Sequence, residues 1–219
     1  MKPLRVEFRL VRPMRYPESP IHLDALLAWC AVREAEDAGD PDPLAAQERL
    51  PLAEDDGEGG RVWCASHLIW QATAPPRQMV ITKRFEPEEY ARRRGNVFVG
   101  GPNIWTQGSG PYKAFVIHHP VIVVDSVSAY CIGDPARIAE LLARIQSIGK
   151  LRRIGQGMVS GLTVIPDDRA ATAWRVRVMP RPVEGYAQSM ATTRPPYWRR
   201  EACQAAWVPI TIPEEIAHG

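Results

Sequence analysis

The residues of this 219-residue chain best suited to chemistry lie between Ser147 and Val164, SIGKLRRIGQGMVSGLTV. Lys150, Arg152 and Arg153 set three cations among Gly149, Gly155, Gly157 and Gly161. Glycine reaches positive φ without steric cost and leaves its amide unshielded, so such a loop suits a polyanion. The order is helix, loop, strand, and the GxxxxGK[ST] spacing is missing, so neither a Walker loop nor a dinucleotide fingerprint fits. A plain β-hairpin with glycine turns and solvated arginines would contain the same residues.

Other candidates are weaker. Tyr112, Lys113, His118 and His119 have the side chains of a metal-independent ribonuclease, in which imidazoles move protons around a 2′-hydroxyl. Neighbouring residues on a strand point to opposite faces, which separates the two histidines. Lys83 and Arg84 close one strand-like run, and Arg92, Arg93 and Arg94 end a short helical pattern, forming an electrostatic patch rather than a pocket. Trp63, His67 and Trp70 would make either a stacking face or core. His22 and Asp24 read as a packed or solvated imidazole beside a capping carboxylate. No cofactor or metal set is expected. Cys30, Cys64, Cys131 and Cys203 are too scattered for zinc or a disulfide framework, and buried thiols are expected.

The net charge of +2 conceals segregation. From Glu34 to Glu58 ten acids face one base, Arg49, leaving 26 bases and 15 acids elsewhere. Of the 27 basic residues 23 are arginine, the side chain that binds phosphate bidentately and stacks on bases. High genomic GC content would also enrich arginine. No apolar run approaches the ~20 residues of a membrane span, and the charged start MKPLRVEFRLVRP lacks a signal peptide's apolar segment, so a cytoplasmic protein is expected.

The elements that must hold the loop follow from periodicity. Residues 4–11 alternate as a half-buried strand, and 21–36 form the clearest helix. Residues 38–60 are an acidic flexible insertion with one helical turn near 44–49. Strands are predicted over 61–72 and 78–85, with a turn at 74–77. Residues 86–111 are a basic, glycine-rich insertion, and two strand-like runs meet near His118-His119-Pro120. Asp134 and Pro135 open a helix over 134–148 that Gly149 ends, and strands follow at 159–165 and 173–178, the second placing Arg175 and Arg177 on one face. Residues 180–219 form an irregular extension rich in proline, arginine and aromatics. The order βαββαβ is that of an α+β, ferredoxin-like (RRM-like) fold with insertions, as one domain over 1–219.

GKLRRIGQGMV resembles the glycine-rich loop of the RAMP superfamily of CRISPR-associated RNA-binding proteins. SPIHLDALLAWCAVRE, from Ser19, resembles the first helix of type IV CRISPR RAMP subunits, in particular the Cas5-like group. The resemblance implies a RAMP fold and a noncatalytic subunit of a type IV effector ribonucleoprotein that caps the 5′ handle of the crRNA. Lys150, Arg152, Arg153 and the backbone of Gly155, Gln156 and Gly157 would hold that handle, with Lys83, Arg84, Arg92, Arg93 and Arg94 as further RNA contacts. Implied partners are crRNA, the backbone, large and crRNA-processing subunits, target DNA near the protospacer-adjacent motif and, in some systems, a DinG-family helicase. The alternative within this family is the metal-independent crRNA-processing endonuclease, using His118 or His119 with Lys113 and Tyr112.

Overall fold

Strict alternation in KPLRVEFRL makes β1 (Lys2–Leu10), whose Leu4, Val6, Phe8 and Leu10 are all buried. The computed structural model describes residues 1–84 and 113–210. The chain divides into two units, one comprising Met1–Pro75 and the chain from Ile122 onward, the other Pro76–Val121.

In the first unit a two-residue strand β2 (Met14–Arg15) precedes α1 (Leu23–Asp37). β3 (Glu54–Gly57) and β4 (Gly60–Trp63) form a hairpin, and β5 (Ile69–Trp70) is short. The second unit is built on β6 (Ala74–Lys83) and β7 (Phe115–Val123), neighbours in one sheet. There follow β8 (Ser126–Gly133), α2 (Pro135–Leu142), β9 (Val159–Pro166), α3 (Ala170–Ala173), and a hairpin of β10 (Tyr186–Ala191) with β11 (Gln204–Pro209). Strand exceeds helix, and the main sheet is antiparallel in the order β5-β8-β1-β9. Val6 pairs with Ala129 on one side and Val164 on the other, so β1 lies in the interior of that sheet.

The apolar faces account for the layering. The inward residues of β1 share one buried cluster with Val127, Ala129 and Cys131 of β8, with Leu23, Leu27 and Cys30 of α1, and with Ile138, Leu141 and Leu142 of α2. Burying each such aliphatic side chain contributes about 1.5–3 kcal/mol. On β8 the alternate residue Tyr130 joins a second cluster with Ala170 and Ala173 of α3. Glu34 near the C-terminal end of α1 pairs with Arg137 in the first turn of α2, and Asp37 pairs with Arg144, just past the end of α2, at 2.7 Å.

Several sequence expectations need correction. The helix predicted over 134–148 opens as expected, with Asp134 Oδ1 accepting from the amides of Ala136 (3.0 Å) and Arg137 (3.3 Å), but ends at Leu142. Its predicted last turn instead bridges Ser147 to Met158. Residues 173–178 are not a strand. The chain turns there after α3, Arg177 is fully buried, and Arg175 lies over Trp174, so the two arginines do not share a face. The expected turn at 74–77 belongs to β6, which among the described strands is at the edge of its sheet, a position where proline is tolerated because its missing amide breaks no ladder bond. β7 runs straight through Pro120. Trp63 and His67 are buried and so form core rather than a stacking face, while Cys203, unlike the other three cysteines, is exposed.

The acidic segment contains a 3-10 turn at Pro43–Glu48 and the β3-β4 hairpin, with Leu50 and Leu52 buried. Its carboxylates meet arginines from the chain that follows Val178. Asp55 pairs with Arg181, and Arg194 reaches both Glu48 and Glu54 at 3.2 Å while lying over Trp63. The charge segregation along the sequence is therefore partly cancelled in three dimensions. Among the described residues, no helix is long and apolar enough to cross a membrane.

Candidate nucleic-acid interface

The basic glycine loop is closed at its base from two sides. Ile148 donates its amide to Gly157 O (2.8 Å) and Val159 to Gln146 O (2.9 Å), while Gly157 donates to Pro13 O (2.8 Å) and Val11 to Met158 O (3.0 Å). Ending α2 early lets these bonds form, because backbone groups released from the helix find partners across the loop. The loop tip is one 3-10 turn, Arg152–Ile154, flanked by Leu151 (φ 65°) and Gly155 (φ 80°), both left-handed. A left-handed leucine costs roughly 1–2 kcal/mol, a strain that the closed base sustains.

This geometry reassigns the roles of the predicted residues. Gly155 donates its amide to Arg152 O (3.0 Å), Gln156 to Leu151 O (3.4 Å) and Gly157 to Pro13 O, so all three backbone donors expected to cradle phosphate are used within the protein. Lys150 is paired with Glu18 at 2.8 Å, and Arg15 holds the same carboxylate at 2.6 Å; Lys150, by hydrogen bond and charge, keeps Glu18 below the usual carboxylate range. Arg152 and Arg153 are exposed and, among the described residues, have no carboxylate partner. The two arginines thus remain as the loop's available cations.

Gly157 is present for a steric reason. A Cβ there would sit 2.0 Å from Ile148 O, whereas one on Gly155 would meet nothing nearer than Met158 Cε at 4.0 Å. Gly157→Ala is therefore expected to open the loop base and lower stability by several times the ~1–2 kcal/mol strain expected for Gly155→Ala. Chemical denaturation of the two variants checks this; equal losses would show that the loop base is not rigid.

Sequence reasoning did not single out Trp29 as a site residue. It is 40% exposed, with the Arg33 and Arg152 guanidiniums 5.8 and 6.0 Å from its ring centroid. Trp29, Arg144, Arg152 and Arg153 line one groove of about 470 Å³. The periodicity contained the signal: Leu23, Leu27, Cys30 and Ala31 complete a buried stripe without residue 29.

Asp24 was also misread. It lies on the buried stripe with Ala28 and Ala31, and it is a counter-ion rather than only a cap. Arg177 Nη2 donates to Asp24 Oδ2 (3.0 Å), Thr193 O (2.6 Å) and the Tyr197 hydroxyl (2.8 Å), Nη1 to the carbonyls of Trp63 (2.5 Å) and Ala65 (3.0 Å), and Nε to Val178 O (3.3 Å). The Tyr197 hydroxyl in turn donates to Asp24, 3.0 Å from either oxygen. His22 stacks on Tyr197 at 4.6 Å, and His67 meets His22 edge-on. This cluster anchors the C-terminal extension to α1, and because Arg177 and Asp24 are wholly buried it is structural rather than an open site.

Burial, and then the charge of Arg177, push His67 down to about 4 and His22 well below its ordinary value. The unfolded chain takes up these protons near 6.5 while the folded chain does not, so stability present at neutral pH is lost as pH falls from about 6.5 toward about 4. Asp24, which burial pushes up, acts in the opposite sense. Between about pH 7 and about pH 5 the wild type is expected to lose about 2 kcal/mol more than His67→Gln, the part due to that imidazole. Equal slopes in urea denaturation would contradict this assignment.

The remaining predicted residues are dispersed. Lys83 and Arg84 are exposed at and just beyond the end of β6. His118 and His119 lie on β7, His118 exposed and His119 half-buried, and Lys113 is exposed before that strand. Arg92, Arg93, Arg94, Tyr112 and the predicted insertion 86–111 lie outside the described residues.

No curated protein matches the chain. The family model described as CRISPR type IV associated protein Csf3 matches residues 2–209, all but the two ends of the sequence. This chain therefore belongs to the type IV CRISPR-associated Csf3 family, a Cas5-like group of RAMP subunits.

Proposed function

We propose that this chain is the noncatalytic subunit of a type IV CRISPR effector ribonucleoprotein that binds and caps the 5′ handle of the crRNA. The observation that carries this reading is the pair of exposed arginines, Arg152 and Arg153, without acidic partners among the described residues, held on a turn whose base is closed by backbone hydrogen bonds. Carried on a turn whose backbone is held at its base, two neighbouring arginines are placed to meet successive phosphates, which guanidinium matches bidentately. The order β1, α1, β5, β8, α2, β9 with the sheet order β5-β8-β1-β9 supports a split-βαβ, ferredoxin-like RAMP arrangement. In this reading the subunit acts in the cytoplasm in antiviral defence, beside the backbone, large and crRNA-processing subunits, with target DNA and a DinG-family helicase as further partners.

Co-expression with the neighbouring subunits, purification, nuclease treatment and sequencing of the protected RNA test the proposal. Guide RNAs with a uniform 5′ repeat fragment, lost in Arg152→Glu/Arg153→Glu, are the expected result. Absence of RNA from every combination would overturn it. Metal-independent cleavage of repeat RNA that His118→Ala or His119→Ala abolishes would replace it with the processing endonuclease.

A further inference from the structure

We propose that Trp29 is the stacking platform of a single-nucleotide pocket, its indole receiving one unpaired RNA base while Arg152 and Arg153 take the adjoining phosphates. This inference rests on the RNA-binding reading and extends it to a base contact on α1, outside the glycine loop.

Two further depressions share Trp29 with the groove lined by Trp29, Arg144, Arg152 and Arg153. One, of about 310 Å³, includes Arg15, Lys150 and Arg152; the other, about 280 Å³ and more apolar, includes Pro195, Pro196 and Trp198. These volumes are of the order of small-ligand sites, which run roughly 300–1,000 Å³. Trp198 is 71% exposed, so a second indole lies on the rim of the same surface.

The charges around the ring are unequal. Arg33 is held by Glu36 at 2.7 Å and Arg144 by Asp37 at 2.7 Å, whereas Arg152 and Arg153 have no carboxylate partner among the described residues. At 5.8 and 6.0 Å from the centroid, Arg33 and Arg152 lie near the outer limit of cation–π attraction, about 6 Å, so neither seals the ring tightly. The site therefore combines an accessible indole with two uncompensated guanidiniums. An acidic peptide would satisfy the guanidiniums and leave the indole wet; a nucleotide offers both a π face and anionic oxygens. Single-stranded RNA is the occupant with that combination, because its bases are free to leave a stack.

The test uses the full chain and a fluorescein-labelled single-stranded RNA, read by anisotropy across a salt series, together with the same RNA carrying one abasic nucleotide at each position in turn. Trp29→Ala is expected to weaken binding roughly ten- to hundredfold without changing the salt slope, since stacking releases no counterions. Trp29→Phe, which keeps an aromatic face, recovers most of that loss and shows that folding is not its cause. At one position the abasic substitution weakens the wild type by a similar factor and Trp29→Ala no further. Trp29→Ala binding within about twofold of wild type, or losses that add at every abasic position, would overturn the stacking platform while leaving the arginine reading intact. No RNA binding by the wild type would sink both and leave the groove to an acidic protein surface.

Discussion

Arg177→Ala is expected to destabilise the protein by about 3–5 kcal/mol, the usual cost of breaking a buried ion pair from one side. The guanidinium is wholly buried and serves Asp24, Tyr197 and the carbonyls of Trp63, Ala65, Val178 and Thr193. Truncation leaves a carboxylate and several carbonyl oxygens unpaired in the interior, each costing desolvation that water no longer repays. Arg177→Lys should rescue little, because three donors on one ammonium cannot reproduce a planar fork of five. Urea denaturation gives the loss. Limited proteolysis should show cleavage within 180–210 rising first, since Thr193 and Tyr197 are tied to α1 through this group. A loss below about 1 kcal/mol would mean that the cluster is not the anchor of the extension.

Arg152→Ala/Arg153→Ala is expected to give the largest loss of RNA affinity of any pair in the loop. Removing two phosphate contacts from a single strand should make the slope of log K against log salt shallower by about 1.4, at 0.7 per contact. Lys150→Ala should change the slope less, because its ammonium is already neutralised by Glu18 at 2.8 Å. Glu18→Gln should tighten binding, as it releases both Lys150 and Arg15 from one carboxylate. Anisotropy titrations over a salt series measure all four proteins. A slope change for Lys150→Ala equal to half that of the double arginine variant would show that the Glu18 pair opens when RNA binds.

The two largest expected effects concern arginines that look alike along the chain. Arg152 and Arg177 each stand among apolar and basic neighbours, yet Arg152 is a loop cation with no carboxylate partner among the described residues, as its place in the glycine loop suggests, whereas Arg177, expected on a strand face with Arg175, is an internal counter-ion. Nothing within five residues of Arg177 distinguishes it, since its partner Asp24 is 153 residues earlier. Asp24 was more legible: a carboxylate on a helical stripe with Ala28 and Ala31 is buried and must find a cation. Which cation it finds is a long-range fact.

By itself the sequence determined what depends on local pattern. Period-two alternation specified β1 and its buried face, 3.6-residue periodicity specified α1, and Asp134-Pro135 specified where α2 begins, because each rests on neighbours a few residues apart. The glycine loop and the α1 helix were likewise enough to indicate the family that the match over residues 2–209 shows. Only the tertiary structure decided where α2 ends, that the amides of Gly155, Gln156 and Gly157 are used internally, that Lys150 is neutralised while Arg152 and Arg153 are not, and that Trp29 stands beside them. Each of these depends on a partner distant in sequence, such as Pro13 for Gly157 and Glu18 for Lys150. Electrostatic and hydrogen-bond partners are chosen by proximity in space, which local periodicity does not encode.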